Sequence, residues 1–364
     1  MSKQITRREW LKWSALLGAG VIASACGPAS PGGTAEPSSN TAPPSSQADA
    51  TSEQGSQQPN DIGLGDSIHY TANNNFYIVD IGAGHPQIDP VSWRLTLDGK
   101  VNHPLTLSLD QIKAMPSITQ SRTFECISNP VGGPLIGNAV WVGVRMKDLL
   151  NQAGVQPSAQ ELLVRSADDF YTSIPIALAM DDNALLVYAM NGEPLPRAHG
   201  FPLRSVWPGR YGMKQPRWIM HIEVIDSPTR GYWEQQGWSN EATIKVNSQI
   251  LFPQSRETIS TPTYTIRGLA HAGLAGLKKV EVSTDNGSSW NEATLIRGPE
   301  PRQLVWTEWR YDWKAPADGR YVLVARATDN SGVVQQGIGD TLLGGTFPDG
   351  TSRMHAVTAI VKRA

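Results

Sequence analysis

The chain has 364 residues, is 40% hydrophobic and 18% charged, and carries a formal net charge of -2 at pH 7. That length exceeds one ordinary compact domain, so two are expected. The near-neutral balance gives no global field for nucleic acid, so any anion site must be local, and two cysteines argue against a disulfide framework or a Cys-pair zinc site.

The N-terminus reads Thr6-Arg7-Arg8-Glu9-Trp10-Leu11-Lys12, then an apolar run from Trp13 to Ala25. The run is shorter than the roughly 20 apolar residues that span a bilayer. A basic start and small-residue end predict an export signal over residues 1–26. The paired arginines predict the twin-arginine route, which carries folded proteins. Ala23-Ser24-Ala25-Cys26-Gly27 is similar to a lipobox. Cys26 is then either diacylated, tethering the chain to the membrane face, or lost by plain cleavage. The predicted location is the periplasm or the outer face of the cytoplasmic membrane. Residues 27–61 hold no aromatic or branched aliphatic side chain and are expected to be a disordered linker.

A first folded domain is expected over 62–230, mixing short strands and helices. Trp93, Leu95 and Leu97 alternate with polar residues as on a half-buried strand, and Asp98-Gly99 turns the chain. Ser108 to Gln111 has capping-box spacing before a short helix that ends at Met115-Pro116. Next comes Thr123-Phe124-Glu125-Cys126-Ile127-Ser128-Asn129-Pro130-Val131-Gly132-Gly133, a strand ending at a cysteine and a glycine-rich loop. A cysteine so placed is either a soft, strongly donating metal ligand or a buried small hydrophobe. Met146, Leu149, Leu150 and Ala153 lie at helical spacing, with Gly154 placed to end that helix. The stretch from Gly192 to Trp218 gathers His199, Arg204, Arg210, Lys214 and Arg217 with almost no acids. It either grips a phosphate, assisted by backbone N–H groups, or is a solvated basic loop.

After a connector over 231–260, the pattern over 261–364 changes to strands alone. Val280 and Val282 alternate with polar neighbours, Asp285-Asn286-Gly287 signals a hairpin, and Trp309, Tyr311 and Trp313 share one strand face. Tyr321 to Thr328 reads as a buried strand. Short strands at this spacing predict a β-sandwich of immunoglobulin type. The fold class is therefore α+β: a mixed α/β domain followed by an immunoglobulin-like sandwich. His69, His85, His103, His221, His271 and His355 lack metal-type spacing and are expected in surface or turn positions, with His85 left open because it follows the segment from Phe76 to Asp80.

Two of these segments and the C-terminal strands resemble the sulfite-oxidase-type molybdopterin-binding oxidoreductases. HGFPLR…PGRYGMKQPRW is similar to that family's pterin-binding stretch, and ECISNPVGGPLIGNAVW to its metal-cysteine loop in exported bacterial members. VEVSTDNGSSWNEATL and WRYDW…GRYVLVARATDNSG resemble its C-terminal immunoglobulin-like dimerisation domain. The resemblance covers about residue 64 to the end. It implies a molybdenum–molybdopterin cofactor with Cys126 as the metal ligand. It implies that His199, Arg204, Lys214, Gln215 and Arg217 hold the pterin phosphate. Tyr77 and Asp80 would lie in an early segment lining the cofactor, and Asp168 would be an acid beside it.

Departures from the family bear on the substrate. Ile78, Val79 and Asp80 stand where sulfite oxidases carry a substrate-binding arginine, and Trp238 stands at their active-site tyrosine. The expected function is oxygen-atom transfer on a small substrate, sulfite-oxidase-like, with Cys126, Asp168 and Trp238 at the reacting centre. Sulfoxide or N-oxide reduction is the alternative within the family. No haem motif and no flavin or dinucleotide glycine loop occurs, so electrons must pass to or from a separate carrier, a cytochrome or membrane partner. A rival of another class is a non-catalytic surface lipoprotein that binds a partner. A homodimer through the C-terminal domain is implied by the resemblance alone.

Overall fold

The computed structural model describes residues 67–338 and 345–363. The leader with Arg7, Arg8 and Cys26, and the linker over 27–61, lie outside the described residues.

The first domain holds two sheets. One runs in the order β2 (Leu105–Leu107), β1 (Leu95–Gly99), β10 (Ile219–Ile225), β5 (Glu161–Ser166), β6 (Tyr171–Pro175). The other runs β3 (Ser117–Glu125), β4 (Ile136–Arg145), β7 (Leu185–Met190), β8 (Glu193–Pro194), with β9 (Arg204–Val206) also paired to β7. Four short helices intervene: α1 (Leu109–Lys113), α2 (Met146–Ala153), α3 (Ile176–Ala179) and α4 (Tyr232–Gln235).

Local sequence explains the helix ends. Ser108 Oγ accepts from Gln111 N at 3.2 Å, and Gln111 Oε1 accepts from Ser108 N at 2.8 Å, which completes the capping box of α1. α2 stops at Gly154, whose φ of 67° suits a residue without Cβ. Leu149 and Leu150 of α2 are buried with Trp93, Leu95, Leu97 and Ile222 in one core. Truncating either leucine to alanine would cost about 3 kcal/mol.

The C-terminal domain is a two-sheet sandwich. One sheet runs β11 (Asn247–Phe252), β13 (Thr263–His271), β17 (Thr307–Lys314), β16 (Thr294–Arg297). The second runs β12 (Thr258–Ile259), β19 (His355–Val361), β18 (Gly319–Asp329), β14 (Leu277–Ser283), β15 (Asn291–Glu292). Trp309 and Trp313 from the first sheet and Val280, Val282, Leu323 and Ala325 from the second share one core, as their alternation requires.

Two expectations need correction. The sandwich begins at Asn247, not 261, because β11 pairs with β13 from Asn247–His271 to Phe252–Arg267. Its buried run carries no clear alternation, so it looked like connector. Nor are His221, His271 and His355 mere surface residues, although His103 is exposed in a bend as expected. His271 lies on β13 at 3% exposure, and His221 lies on β10 with Nε2 2.7 Å from Asp98 Oδ1. His355 opens β19, where its Nδ1 accepts from Ile250 N at 2.9 Å.

Candidate active site

Cys126 is the first residue after β3, so a rigid strand sets its position. The loop beyond it is tied at several points. Cys126 N donates to Leu135 O at 2.9 Å, and Asn129 N donates to Cys126 O at 2.9 Å. Asn129 Oδ1 accepts from Leu135 N at 3.0 Å, and its Nδ2 donates to Glu125 Oε1 at 3.2 Å. The other Glu125 oxygen accepts from Asn247 Nδ2 of the sandwich at 2.8 Å. Burial raises the Glu125 carboxyl to about 7 against these bonds. The Cys126 sulfur is 3.2 Å from Ser128 Oγ. Burial pushes the thiol above its ordinary range, and bonds from Ser128 pull part of the way back. A cation at that sulfur would displace the proton, because only the thiolate is a ligand.

The sulfur faces a cleft of about 860 Å³. Arg204, on β9, reaches the same cleft with a guanidinium that is 5% exposed. Its Nη1 donates to His199 O at 3.1 Å and its Nη2 to Gln215 O at 3.3 Å, while Nε has no partner. The guanidinium lies over the rings of Phe124 and Trp141, 4.7 and 5.1 Å from their centroids. No carboxylate pairs with it among the described residues, and burial lowers its pKa to about 9. An unpaired buried cation is costly unless something anionic joins it. Arg217 donates to Ala198 O at 2.8 Å and Val79 O at 3.1 Å, 3.9 Å from Asp80 Oδ2. His199 Nε2 donates to Asn73 O at 2.7 Å, and burial, with Arg204 and Arg217 adding to it, holds the ring neutral with a pKa of about 4.

Most of the expected site residues meet here. Tyr77, Asp80, Cys126, Asp168, His199 and Arg204 all line the cleft, joined by Gln215, Arg217 and Trp238. Burial raises the Asp168 carboxyl, opposed first by the bond from Phe170 N. Tyr77 stays a neutral phenol because burial raises it well above the ordinary value. Gly212 matters at this point: a Cβ there would lie 2.6 Å from the Tyr77 hydroxyl. Gln215 shapes the loop with its side chain, accepting from Trp207 N at 2.6 Å and donating to Trp207 O at 2.9 Å.

Lys214 is the exception. It is buried away from the cleft wall, donating to Ser173 O at 3.0 Å and pairing with Glu234 of α4. With its ammonium so engaged it pins α4 to β6, which corrects the expectation that it reaches the phosphate. Sequence reasoning missed Trp218, Trp233 and Met213 on the wall. Trp218 ends the basic run with a φ of 50° and lies under Arg217, 4.4 Å from the guanidinium carbon. Its position after that run was the available signal. On the Cys126 side, Ile127 and Met213 form an apolar cluster with Trp233 and Trp238 packed against it.

The sequence matches two family models: an oxidoreductase molybdopterin-binding domain over residues 82–233, and a Mo-co oxidoreductase dimerisation domain over 239–341. An uncharacterized oxidoreductase, YuiH, of Bacillus subtilis is 35% identical over 150 residues, 41% of this chain and 74% of that protein. The chain belongs to the sulfite-oxidase-type family of molybdopterin-binding oxidoreductases. The mitochondrial sulfite oxidase of Drosophila melanogaster is 30% identical over 68% of this chain and 51% of that protein. The human mitochondrial enzyme is 31% identical over 69% of this chain and 54% of that protein. The chain thus spans about half the length of these curated relatives. The crystal structure of the sulfane dehydrogenase SoxCD from Paracoccus pantotrophus shares the fold, with a TM-score of 0.65 at 23% identity, covering 77% of this chain and 80% of that one.

Membership of this oxidoreductase family brings the molybdenum–molybdopterin cofactor, and the cleft can be tested against it. A thiol that ionises on meeting a cation, and a buried guanidinium with an orphaned Nε and no carboxylate, open into one cavity. Those are the donors a metal at one end and a phosphate at the other require. The residues fit the group.

Proposed function

We propose that the chain transfers an oxygen atom to or from a small substrate, sulfite-oxidase-like, and exchanges electrons with a separate carrier such as a cytochrome. One observation supports this most: the Cys126 sulfur and the unpaired Arg204 guanidinium share a cleft. Cys126 would ligate molybdenum, and Arg204, Arg217 and His199 would hold the pterin phosphate. When bound, the cofactor supplies a two-electron couple at molybdenum.

The chain's own residues bind, orient and handle protons. Arg204 keeps its charge near neutral pH even with its pKa lowered to about 9. Its aromatic cover and backbone carbonyl partners fix the guanidinium plane before the phosphate arrives. His199 commits Nε2–H to Asn73 O, which leaves Nδ1 as a neutral acceptor. Tyr77 offers an O–H donor inside the cleft, standing in for the phenol lost at Trp238. Asp168, with its pKa raised, is a candidate to hold a proton for the oxygen that is transferred. Trp233 and Trp238 exclude water beside Cys126.

That apolar side favours the reductive reading. Glu125 is the charge Cys126 feels most, and the neighbours Ile127, Met213, Trp233 and Trp238 offer no cation to a sulfite dianion. A neutral sulfoxide or N-oxide enters such a surface without the desolvation penalty of an anion. The test is turnover of sulfite, sulfoxides and N-oxides by molybdenum-loaded protein with an artificial carrier, in both directions. Turnover of a neutral oxide with none of sulfite supports reduction, and the reverse supports oxidation. A folded exported protein that takes up no molybdenum and turns over none of them would leave the surface-lipoprotein reading. Export, an immunoglobulin-like class for the sandwich and a homodimer through it complete the proposal. The dimerisation-domain match supports the last of these.

A further inference from the structure

A second, much smaller cavity lies where the catalytic domain meets the sandwich. Arg122 of β3, Trp207 after β9 and His271 of β13 all line it. These side chains are 2%, 2% and 3% exposed. Each carries nitrogen without a partner: Nε and Nη1 of Arg122, the Trp207 indole nitrogen, and both ring nitrogens of His271. Arg122 uses only Nη2, which donates to Gln120 Oε1 and Asn183 O at 2.5 Å each. No ion pair engages Arg122 among the described residues, and no aspartate or glutamate lines the cavity. A second arginine, Arg210, does line it.

Buried donors of this kind are satisfied in nearly all native proteins, so their partner needs identifying. Burial holds the His271 imidazole neutral, with a pKa of about 4, so it brings one N–H and one lone pair. The lining residues therefore carry several unpartnered N–H groups, around an Arg122 charge that only the more distant Asp181 supports. A water molecule takes two such bonds and must then donate two of its own. An anion accepts from every donor and neutralises Arg122 as well. The rest of the wall includes Phe124, Val206, Ile244 and Leu304. Such a wall suits a weakly hydrated, singly charged ion over a strongly hydrated dianion.

We propose that this cavity is a buried binding site for a small monovalent inorganic anion of the halide class, held by Arg122, Trp207 and His271 and joining the two domains. Phe124 lines both this cavity and the cofactor cleft, so the site backs directly onto the catalytic wall. Thr123, next to Arg122, also binds across the same seam, accepting from Trp306 N at 2.8 Å. The proposal does not depend on which substrate the cleft takes.

The test uses the full, cofactor-loaded chain. Thermal unfolding is followed while chloride replaces gluconate at constant ionic strength. The expected result is a saturable rise in Tm of about 3 °C, reproduced by bromide. Arg122→Gln is expected to abolish the halide-dependent part, and Trp207→Phe, which removes the indole N–H, to reduce it. Crystals of the unaltered protein grown in bromide are expected to show an anomalous peak between Arg122 and His271. That experiment stands even if Arg122→Gln fails to fold. Equal Tm in chloride and gluconate, or bromide-grown crystals with only water in the cavity, would overturn the proposal.

Discussion

On one wall of the cleft, Arg204, Arg217 and His199 present two cations and a neutral ring, anchored to the backbone carbonyls of Ala198, His199, Gln215, Val79 and Asn73. On the other, Cys126 sits among Ile127, Met213, Trp233 and Trp238, and Glu125 is the charge it feels most. The first wall is built to recognise charge: its cations are fixed in advance, and Arg204 lacks a carboxylate of its own. The second is built to keep water out and leave a thiol in want of a metal. Recognition of the pterin phosphate and choice of substrate are thus separable within one cavity.

Cys126→Ser tests that separation with the largest expected effect. The soft ligand disappears while the strand and the Asn129-tied loop stay. Molybdenum per chain, measured by elemental analysis, is expected to fall from about one to near background. Retention of the metal at wild-type levels would place the metal elsewhere and dissolve the contrast.

Arg204→Met should divide the two states of the protein. Methionine keeps an apolar body against Phe124 and Trp141 and removes an unpaired buried charge, so the cofactor-free chain is expected to unfold at the same or a higher temperature. The same change is expected to weaken retention of the pterin phosphate by tenfold or more, on the order of 1.5–3 kcal/mol for a charged bond. Equal losses in both states would mean that the guanidinium serves the fold and not the cofactor.

Trp233→Ala and Trp238→Ala probe the dry wall. For a neutral oxide substrate, KM is expected to rise about tenfold, the value of roughly 1.4 kcal/mol of lost apolar contact. Molybdenum content should not change. Loss of metal in these variants would show that the indoles support the thiolate loop instead of the substrate.

How far a feature can be read in advance depends on the range of the interaction behind it. The capping box of α1 and the glycine end of α2 are rules spanning a few residues, and both appear as expected. The alternation of Val280 with Val282 and of Trp309 with Trp313 located the sandwich because each strand buries one face. Cys126 and Arg204 stood out because unusual chemistry was concentrated in short runs. Lys214 looked identical to its basic neighbours, and only the packing of α4 against β6 shows that Glu234 claims it. The Asn247–Glu125 bond, the approach of Tyr77 to Gly212 and the burial of His271 join distant segments. No local pattern encodes such contacts. β11 was missed for a related reason: both of its faces are largely buried, so its alternation is weak.

The smallest effect concerns histidines on the two sides of that contrast. His199 in the cleft and His355 at the seam of the sandwich both have pKa values lowered from 6.5 to about 4, first by burial. Each is bound neutral in the folded state, so its stabilisation is complete above about pH 6.5 and lost as the pH falls towards 4. The loss is at most about 3 kcal/mol per site. Only His199 also owes part of its depression to Arg204 and Arg217. A phosphate on those arginines offsets their field and raises the His199 pKa, whereas nothing at His355 changes. Loading the cofactor is therefore expected to flatten the stability loss between pH 6.5 and 4 by about 1 kcal/mol, one pKa unit. His355→Asn is expected to lower the slope equally in loaded and cofactor-free protein. Paired denaturant titrations at several pH values give both slopes. If loading leaves the slope unchanged, the phosphate does not sit within reach of His199, and the cationic wall serves some other anion.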